Sequence, residues 1–238
     1  MINYAIVVPY VYQEYFDEFI KTCKFPRENM LIVDNTVENI GIMAAHNLGV
    51  KFMEEKNADW LIVMSAGIRF GENGGLDFLK IIEENQEALM IHGSGAWNNN
   101  GKKIKSIALG WHLTAFNKKI FETAGNWDEN FTPYGLDDVD LTIRIQKAFG
   151  KNYDLRVFPC DFRHESTSHS ITIAGVKSAY EPRNEYFKRK WGRDGGEWKK
   201  EGYLTPFNLD KPLSYWPEKE DKLSIFENEY KNKWSFNE

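Results

Sequence analysis

The sequence predicts an α/β fold in which helices cover both faces of a mostly parallel sheet, in a three-layer, Rossmann-like sandwich. The first observation is that short apolar runs of strand length alternate with amphipathic helical segments over residues 4–64. Such alternation requires right-handed crossovers between parallel strands. The second observation is the composition. A chain of 238 residues with 42% hydrophobic and 27% charged side chains can bury a substantial core.

The first part of the chain alternates between the two kinds of element. Three apolar, largely β-branched runs are predicted as buried strands, at residues 4–8, 30–33 and 60–64. Two segments with apolar side chains at helical spacing are predicted as helices, at residues 13–23 and 41–55. Parallel sheets bind ligands at the carboxyl ends of their strands. We therefore expect residues 9–12, 34–36 and 65–67 to surround one crevice of the kind that binds a nucleotide.

The rest of the chain adds helices and strands in less regular order. Helices are predicted at residues 76–85, 118–123 and 137–149, and strands at residues 88–92, 107–116 and 155–159. The glycine- and asparagine-rich segment 93–105 predicts a loop or a hairpin. Basic and aromatic side chains are interleaved after residue 176. This pattern indicates a C-terminal extension, residues 176–238, that packs on the core through its aromatic side chains.

Charge, cysteine content and hydropathy disfavour several classes of protein. A formal net charge of −5 argues against a dedicated nucleic-acid binder. Cys23 and Cys160 lie far apart and outside any CxxC pattern, which predicts buried free thiols in a reducing compartment rather than a zinc site. The sequence has no signal-peptide pattern and no apolar run of roughly 20 residues. We therefore expect a soluble, cytoplasmic protein without a membrane span.

Three carboxylates are concentrated where the helix at residues 137–149 begins. Asp137, Asp138 and Asp140 follow a glycine, and acidic side chains at this position are typical of a stable helix N-terminus. Crowding of like charges can also raise the pKa of one of them, which suits a general base. Asp140 and Arg144 have the i,i+4 spacing of a stabilising ion pair. The residues alone leave the structural and the catalytic interpretation open.

The order of several motifs resembles that of the GT-A-fold glycosyltransferases, in particular relatives of family 2. The resemblance covers residues 6–164. The motifs are Val7-Val8-Pro9-Tyr10, Leu31-Ile32-Val33-Asp34-Asn35-Thr36, Asn39-Ile40-Gly41 with Ala45, Asn47 and Gly49, Gly125-Asn126-Trp127-Asp128-Glu129-Asn130-Phe131, Asp137-Asp138-Val139-Asp140-Leu141 with Arg144, and His164. The fifth of these closely resembles the family's Glu-Asp-Val-Asp-Leu motif with its following arginine.

The resemblance implies an inverting glycosyltransferase with a GT-A core at residues 1–175. A nucleotide-sugar half would occupy about residues 1–92 and an acceptor half about residues 93–175. The donor would be a nucleotide-diphosphate sugar, namely a UDP-sugar, and the acceptor the hydroxyl of a carbohydrate or of another molecule. Asp138 matches the position of the family's catalytic base, and Asp137 is its neighbour.

The resemblance also implies which residues bind the two substrates. Asp34 matches a residue that reads the nucleotide base. His164 matches a histidine that assists metal or diphosphate binding. The donor would contact Pro9, Tyr10, Asp34, Asn35, Asn47, Ser65, Ala66 and Gly67. The acceptor would contact Gly110, Trp111 and His112.

One departure from the family concerns the metal. Relatives end the third strand with Asp-x-Asp, whose carboxylates hold a divalent cation, whereas this chain has Ser65-Ala66-Gly67. Mg²⁺ and Mn²⁺ prefer carboxylate oxygens. Three alternatives follow. His164 binds a metal together with Asp137 or another acid; cations such as Arg69, Arg163 or Lys177 neutralise the diphosphate without a metal; or catalysis is lost, which leaves a non-catalytic module that binds a nucleotide or a carbohydrate.

Residues 186–192 carry a second open question. Their sequence, Tyr-Phe-Lys-Arg-Lys-Trp-Gly, predicts a helix whose aromatic side chains dock on the core while its charges stay in solvent. The alternatives are a clamp for the acceptor or the diphosphate, and a surface that binds a modified nucleic-acid base as acceptor. On the helix at residues 41–55, His46 is expected to be a packed or an exposed helix residue rather than a site residue.

Overall fold

The computed structural model describes residues 2–97, 111–131, 135–165, 176–197, 200, 202–207 and 213. Over these ranges the strands are β1 (Tyr4–Tyr10), β2 (Met30–Asp34), β3 (Trp60–Met64), β4 (Ile68–Phe70), β5 (Met90–Trp97), β6 (Leu113–Asn117) and β7 (Leu155–His164). The α-helices are α1 (Gln13–Thr22), α2 (Ile42–Glu55), α3 (Leu76–Glu83), α4 (Lys119–Ala124), α5 (Asp137–Phe149) and α6 (Val176–Trp191).

The strands form one sheet in the order β2-β1-β3-β6-β5-β7-β4. β1 pairs in parallel with β2 and β3, and β5 pairs in parallel with β7. β6 runs antiparallel between β3 and β5, and β4 runs antiparallel beside β7. The other five strands therefore point in one direction. The predicted mostly parallel α/β sheet is confirmed.

Two apolar cores cover the two faces of the sheet. Alternate residues of β1 belong to different cores, with Val7 on one face and Ile6 on the other, because successive side chains of a strand point to opposite sides. Helices α2, α4, α5 and α6 pack on the first face, and α1 and α3 pack on the second. This arrangement confirms the three-layer sandwich.

The central strands differ in length from the prediction. β5 continues to Trp97, so Gly93 lies in a strand and not in the predicted loop. A β-carbon at Gly93 would lie 2.7 Å from Leu113 Cδ2 and 3.2 Å from Cys160 Sγ, so a larger residue there would require these side chains to shift. β7 continues to His164. β6 begins only at Leu113, so Trp111 and His112 precede the strand that we predicted to contain them.

Two further features bear on the sequence predictions. Cys160 is buried and Cys23 is partly buried, and neither forms a disulfide. Burial raises the pKa of both thiols, that of Cys160 to about 12. Of the helices that the structure describes, none has both the length and the hydropathy required to cross a membrane.

Candidate active site

The carboxyl ends of β1 and β2 bring three predicted donor-site residues together. The backbone N–H of Asn35 donates to the carbonyl of Tyr10 at 2.8 Å, and the Tyr10 ring stacks on Phe16 with centroids 4.4 Å apart. Asp34 Oδ1 accepts hydrogen bonds from the Thr36 hydroxyl and backbone N–H, and these bonds lower the pKa of Asp34. Asn35 is 3% exposed, and its Oδ1 has no partner in the described part of the chain.

Asn47, a further predicted donor-site residue, instead connects α2 to the loop that precedes Glu129. Its Nδ2 donates to the Trp127 carbonyl and to Glu129 Oε1, each at 2.9 Å, and its Oδ1 accepts the Trp127 N–H at 2.9 Å. The side chain therefore holds the Trp127 backbone from both sides. These contacts give Asn47 a structural role, and its contact with a donor stays a prediction.

The end of β3 contacts the end of β7. Ser65 Oγ lies 3.2 Å from His164 Nε2 and accepts the Gly67 N–H at 3.1 Å. The Ser65 N–H donates to the His112 carbonyl at 2.8 Å. A β-carbon at Gly67 would lie 3.0 Å from His164 Nε2, so the ring fills the space beside this glycine. The structure thus brings Ser65, Gly67, His112 and His164 together.

Three histidines lie close to one another at this end of the sheet. The rings of His112 and His164 stack with centroids 3.8 Å apart. Burial, together with His112 and Arg69, lowers the pKa of His164 to about 3. Burial and His112 lower the pKa of His92 to about 4, and burial lowers that of His112. All three imidazoles are therefore neutral at pH 7. We did not identify His92 from the sequence, because nothing local marks it as a neighbour of the other two.

The side chains at the end of β3 do not fit a Mg²⁺ or Mn²⁺ ion. These cations require several oxygen ligands, preferably carboxylates. The side-chain donors found here are the Ser65 hydroxyl and neutral imidazoles. No group of three or more His, Cys, Asp or Glu side chains that could hold a metal occurs within the described ranges. We therefore assign no metal ligand and derive no step through a metal.

The cations proposed as substitutes for the metal have other partners. Arg69 is 7% exposed, donates to the carbonyls of Ala66 and Ile68, and pairs with Glu165 at 2.9 Å. Arg163 is exposed and lies 3.3 Å from the same Glu165. The side chain of Lys177 lies outside the described part of the structure. Glu165 thus already balances part of the charge of both arginines.

The acid pair, Asp137 and Asp138, lies at the start of α5 after two residues with left-handed backbone. Gly135 has φ +105° and Leu136 has φ +66°, and a left-handed leucine is a strained conformation of the kind found at functional sites. Asp137 is 7% exposed, and its Oδ1 accepts the Gly135 N–H at 3.0 Å. Burial and the charge of Asp138 raise the pKa of Asp137 to about 7. Burial also raises the pKa of Asp138, which is half-buried.

Asp140 points away from the acid pair into a buried ion network. Its Oδ2 accepts from Arg144 Nε at 2.9 Å, and its Oδ1 accepts from Trp191 Nε1 at 2.8 Å and from Lys190 Nζ at 2.7 Å. Arg144 also donates to the carbonyls of Ala124 and Asn126. The predicted Asp140–Arg144 pair is confirmed. Because both side chains are almost fully buried, it fixes the start of α5 against the preceding loop.

Helix α6 completes this network from the C-terminal side. Lys190 Nζ lies 2.6 Å from Asp128 Oδ2, and the Tyr186 hydroxyl donates to the same oxygen at 2.7 Å. Phe187 and Trp191 are fully buried in the core. The docking of the aromatic side chains of α6 is confirmed. The prediction that its charges stay in solvent is wrong for Lys190, which is 4% exposed.

Of the predicted acceptor residues, Trp111 belongs to the core. It is 8% exposed, contacts Trp127 and Phe116 edge-on, and has a buried Nε1 without a partner among the residues described. His46 likewise packs against Trp127, with centroids 4.9 Å apart, as expected of a packed helix residue. Gly110 lies outside the described residues.

Comparisons with known proteins provide structural similarities only. No protein-family model and no curated protein matches the sequence. Similar solved structures include residues 1–349 of S. aureus TarS (10% identity, TM-score 0.45, 68% of this chain and 60% of that chain) and the catalytic domain of Drosophila β1,4-galactosyltransferase 7 with xylobiose (12%, 0.49, 71% and 73%). A third is mannosyltransferase PcManGT from Pyrobaculum calidifontis with GDP-Man and Mn²⁺. It shares 14% sequence identity with a TM-score of 0.42, and the match covers 66% of this chain and 55% of that chain. The chain thus spans 60% of the TarS fragment. All three TM-scores lie below 0.5, so these similarities assign neither a family nor a substrate.

Proposed function

We propose that this chain is an inverting glycosyltransferase of the GT-A type. It transfers a sugar from a nucleotide-diphosphate sugar, a UDP-sugar, to an acceptor hydroxyl. The observation that carries the proposal is the acid pair at the start of α5, in which both carboxyl groups have a raised pKa and Asp138 is half-buried. A carboxylate with a raised pKa is a stronger base and is therefore better suited to accept a proton from a hydroxyl group.

The two carboxylates have different roles. Asp137 is more deeply buried than Asp138, so burial disfavours a negative charge more at Asp137, and we assign the charge of the base to Asp138. Asp138 then takes the acceptor proton as the acceptor oxygen attacks the anomeric carbon. The bond between that carbon and the diphosphate breaks on the opposite side. The product therefore has the opposite anomeric configuration, and the nucleoside diphosphate leaves.

The donor is proposed to bind along the carboxyl ends of β1, β2 and β3. Tyr10, Asp34 and Asn35 lie together there, and the exposed carboxylate of Asp34 offers a hydrogen-bond acceptor for a base N–H. Ser65 and Gly67 would lie beside the diphosphate. Of the predicted acceptor residues, we retain His112, whose backbone carbonyl accepts a hydrogen bond from the Ser65 N–H.

A panel of nucleotide sugars tested by thermal shift will identify the donor. A ligand at a hundred times its Kd adds about 2.7 kcal/mol of native-state stability, so a true donor raises Tm by several degrees. We expect UDP-sugars to raise Tm equally with Mn²⁺ and with EDTA, because the described side chains offer no hard-cation site. If the shift disappears in EDTA, the expectation that the donor binds without a divalent metal is wrong. If no nucleotide sugar produces a shift, the proposal that the donor is a nucleotide sugar is wrong.

Replacement of the proposed base tests the catalytic assignment. Asp138→Asn keeps the shape of the side chain but cannot accept the proton, so transfer should fall by about 10²–10⁴-fold, with donor binding retained. Asp161→Asn, at an exposed position of β7, is the matched control and should keep its activity. Full transfer by Asp138→Asn would remove Asp138 from the mechanism.

A second candidate is a non-catalytic module that binds a nucleotide or a carbohydrate. The observation that favours it is Ser65-Ala66-Gly67, in which the carboxylates of catalytic relatives are missing. A thermal shift with a nucleotide sugar but no turnover over many hours would support this candidate, whereas transfer to any acceptor would exclude it.

We do not propose a nucleic-acid base as the acceptor. That interpretation required the aromatic side chains of residues 186–192 to stack on bases. Tyr186, Phe187 and Trp191 are each at most 3% exposed and pack in the core, while Lys190 is buried between two carboxylates. We therefore propose a carbohydrate or another small hydroxyl compound as the acceptor.

A further inference from the structure

Helix α6 carries a buried arginine towards the acid pair. Arg183 lies three and seven residues before Tyr186 and Lys190, on the same stripe of the helix, and it is 4% exposed. Its guanidinium carbon lies 3.6 Å from the place that a β-carbon on Gly135 would occupy, and both terminal nitrogens lie 3.8 Å from that place. The guanidinium group thus contacts the turn that precedes α5.

That turn also holds Asp137. The N–H of Gly135 donates to Asp137 Oδ1, and its φ of +105° is a conformation that disfavours any other residue. Glycine therefore provides the backbone conformation of this turn, and a β-carbon there would be in ordinary contact with the guanidinium group. Burial and Asp138 raise the pKa of Asp137, whereas Arg183 acts in the opposite direction.

Four other charged groups near the pair form ion pairs with one another. On α5, Asp140 binds Arg144 and Lys190, and on the loop before α5, Asp128 binds Lys190. Arg144 and Lys190 are thus held by Asp140 and Asp128. Within the described ranges, Arg183 is the cation whose charge favours ionisation of Asp137.

We propose that Arg183 is a positioning residue for the acid pair, because its guanidinium group lies against the turn that holds Asp137 and stabilises negative charge at the start of α5. A cation beside this turn lowers the free-energy cost of a negative charge in the acid pair, whichever of the two carboxyl groups carries it. The link to catalysis rests on the proposed function, but the charge arrangement can be tested without any substrate. The proposal also makes the C-terminal helix part of the active site.

The direct test is a titration of the two carboxyl carbons by ¹³C NMR. Arg183→Met removes the charge and keeps an unbranched apolar stem, so the midpoint for ionisation of Asp137 should rise by about one pH unit or more. Arg183→Lys keeps a positive charge and should show a smaller rise. Arg189→Met, at an exposed position of the same helix, is the matched control and should leave the midpoint unchanged. Equal midpoints for Arg183→Met and Arg189→Met would overturn the proposal.

The unmodified protein provides a second measurement if Arg183→Met does not fold. The Arg183 ¹⁵Nε resonance should titrate with the same midpoint as the Asp137 carboxyl carbon, while the Arg189 resonance should not change. An Arg183 resonance that does not respond to the ionisation of the pair would equally overturn the proposal.

Activity measurements separate this inference from the proposed function. If transfer occurs, the acidic limb of the kcat–pH profile should move with the NMR midpoint in Arg183→Met. A purely structural role would lower kcat without moving the limb, and that result would refute the proposal. If the NMR midpoint moves but no donor is ever turned over, the proposed function fails and the charge arrangement stands.

Discussion

Replacement of Lys190 by methionine should destabilise the protein more than any single change at its surface. Lys190 Nζ lies 2.6 Å from Asp128 Oδ2 and 2.7 Å from Asp140 Oδ1, and the lysine and both aspartate side chains are at most 3% exposed. Methionine fills the volume of the aliphatic part of lysine, but it leaves two buried carboxylates with less positive charge beside them. Asp140 retains Arg144 and Trp191 as partners, whereas among the described residues Asp128 retains the Tyr186 hydroxyl and Asn130.

The expected loss of stability comes from the buried Asp128 carboxylate, which loses its lysine partner. Removal of one partner from a buried ion pair costs about 3–5 kcal/mol. In a chain of 150–250 residues, this corresponds to a fall in Tm of roughly 6–20 °C. Burial raises the pKa of Asp128, but Lys190 and the hydrogen bonds of Tyr186 and Asn130 outweigh burial, so the pKa lies below its ordinary value. A depressed folded-state pKa adds stability at neutral pH that is lost as the pH falls through that pKa. In Lys190→Met, burial is no longer opposed by the lysine and raises the pKa of Asp128, so this carboxyl group takes up a proton as the pH falls. The deficit should therefore be largest at pH 7 and shrink towards pH 4.

Urea denaturation followed by tryptophan fluorescence at pH 7 and pH 4.5 measures both effects. Lys188→Met is the matched control on the same helix, because Lys188 is 41% exposed and its surface ion pairs are worth about 0–1 kcal/mol. A Lys190→Met deficit within about 1 kcal/mol of the control at pH 7 would refute the assignment of Lys190 as the buried countercharge. A large deficit that does not change with pH would show that packing, rather than charge, is responsible.

Three further changes test other parts of the structure. Trp191→Phe removes the indole donor to Asp140 and should cost about 1–3 kcal/mol in urea denaturation, with the fold retained. Gly49→Ala, on α2, would place a β-carbon 2.6 Å from Val7 Cβ and should cost about 1–3 kcal/mol in the same assay, while an unchanged stability would show that α2 can move away from β1. Burial lowers the pKa of His46 to about 3, so between pH 7 and pH 5 the unfolded chain binds a proton that the folded chain does not, and stability falls by about 2 kcal/mol from this residue. His46→Gln should remove that part of the pH dependence, and an unchanged slope would mean that His46 is protonated in the folded protein.

Elements with strong local signals were predicted well from the sequence. Helix α5 begins at Asp137 and ends at Phe149, as predicted, because acidic residues favour its first turn and Gly150, with φ +88°, ends it. The first three strands are also where their apolar runs predicted them. β4 was missed, because a three-residue strand has no measurable periodicity and forms only by pairing with β7.

The site was less predictable, because its neighbours come from distant segments. His92, His112 and His164 belong to three different parts of the chain, and only the sheet brings their rings together. From the sequence, we predicted that Lys190 lies in solvent with the other basic residues of its segment. Its position on the apolar stripe of α6, four residues after Tyr186, was the available signal for burial. The carboxylates that bind it could not be inferred from that helix alone.

The central position of β6 has a consequence for the order of folding. β6 follows β5 in the chain but lies between β3 and β5 in the sheet. Until residues 113–117 arrive, β3 has one unpaired edge, and every residue of that strand is buried in the finished protein. Pairing over such a separation is slow, and an exposed apolar strand edge promotes association between chains. A nascent chain that ends before β6 should therefore depend on dilution or on chaperones to remain unaggregated.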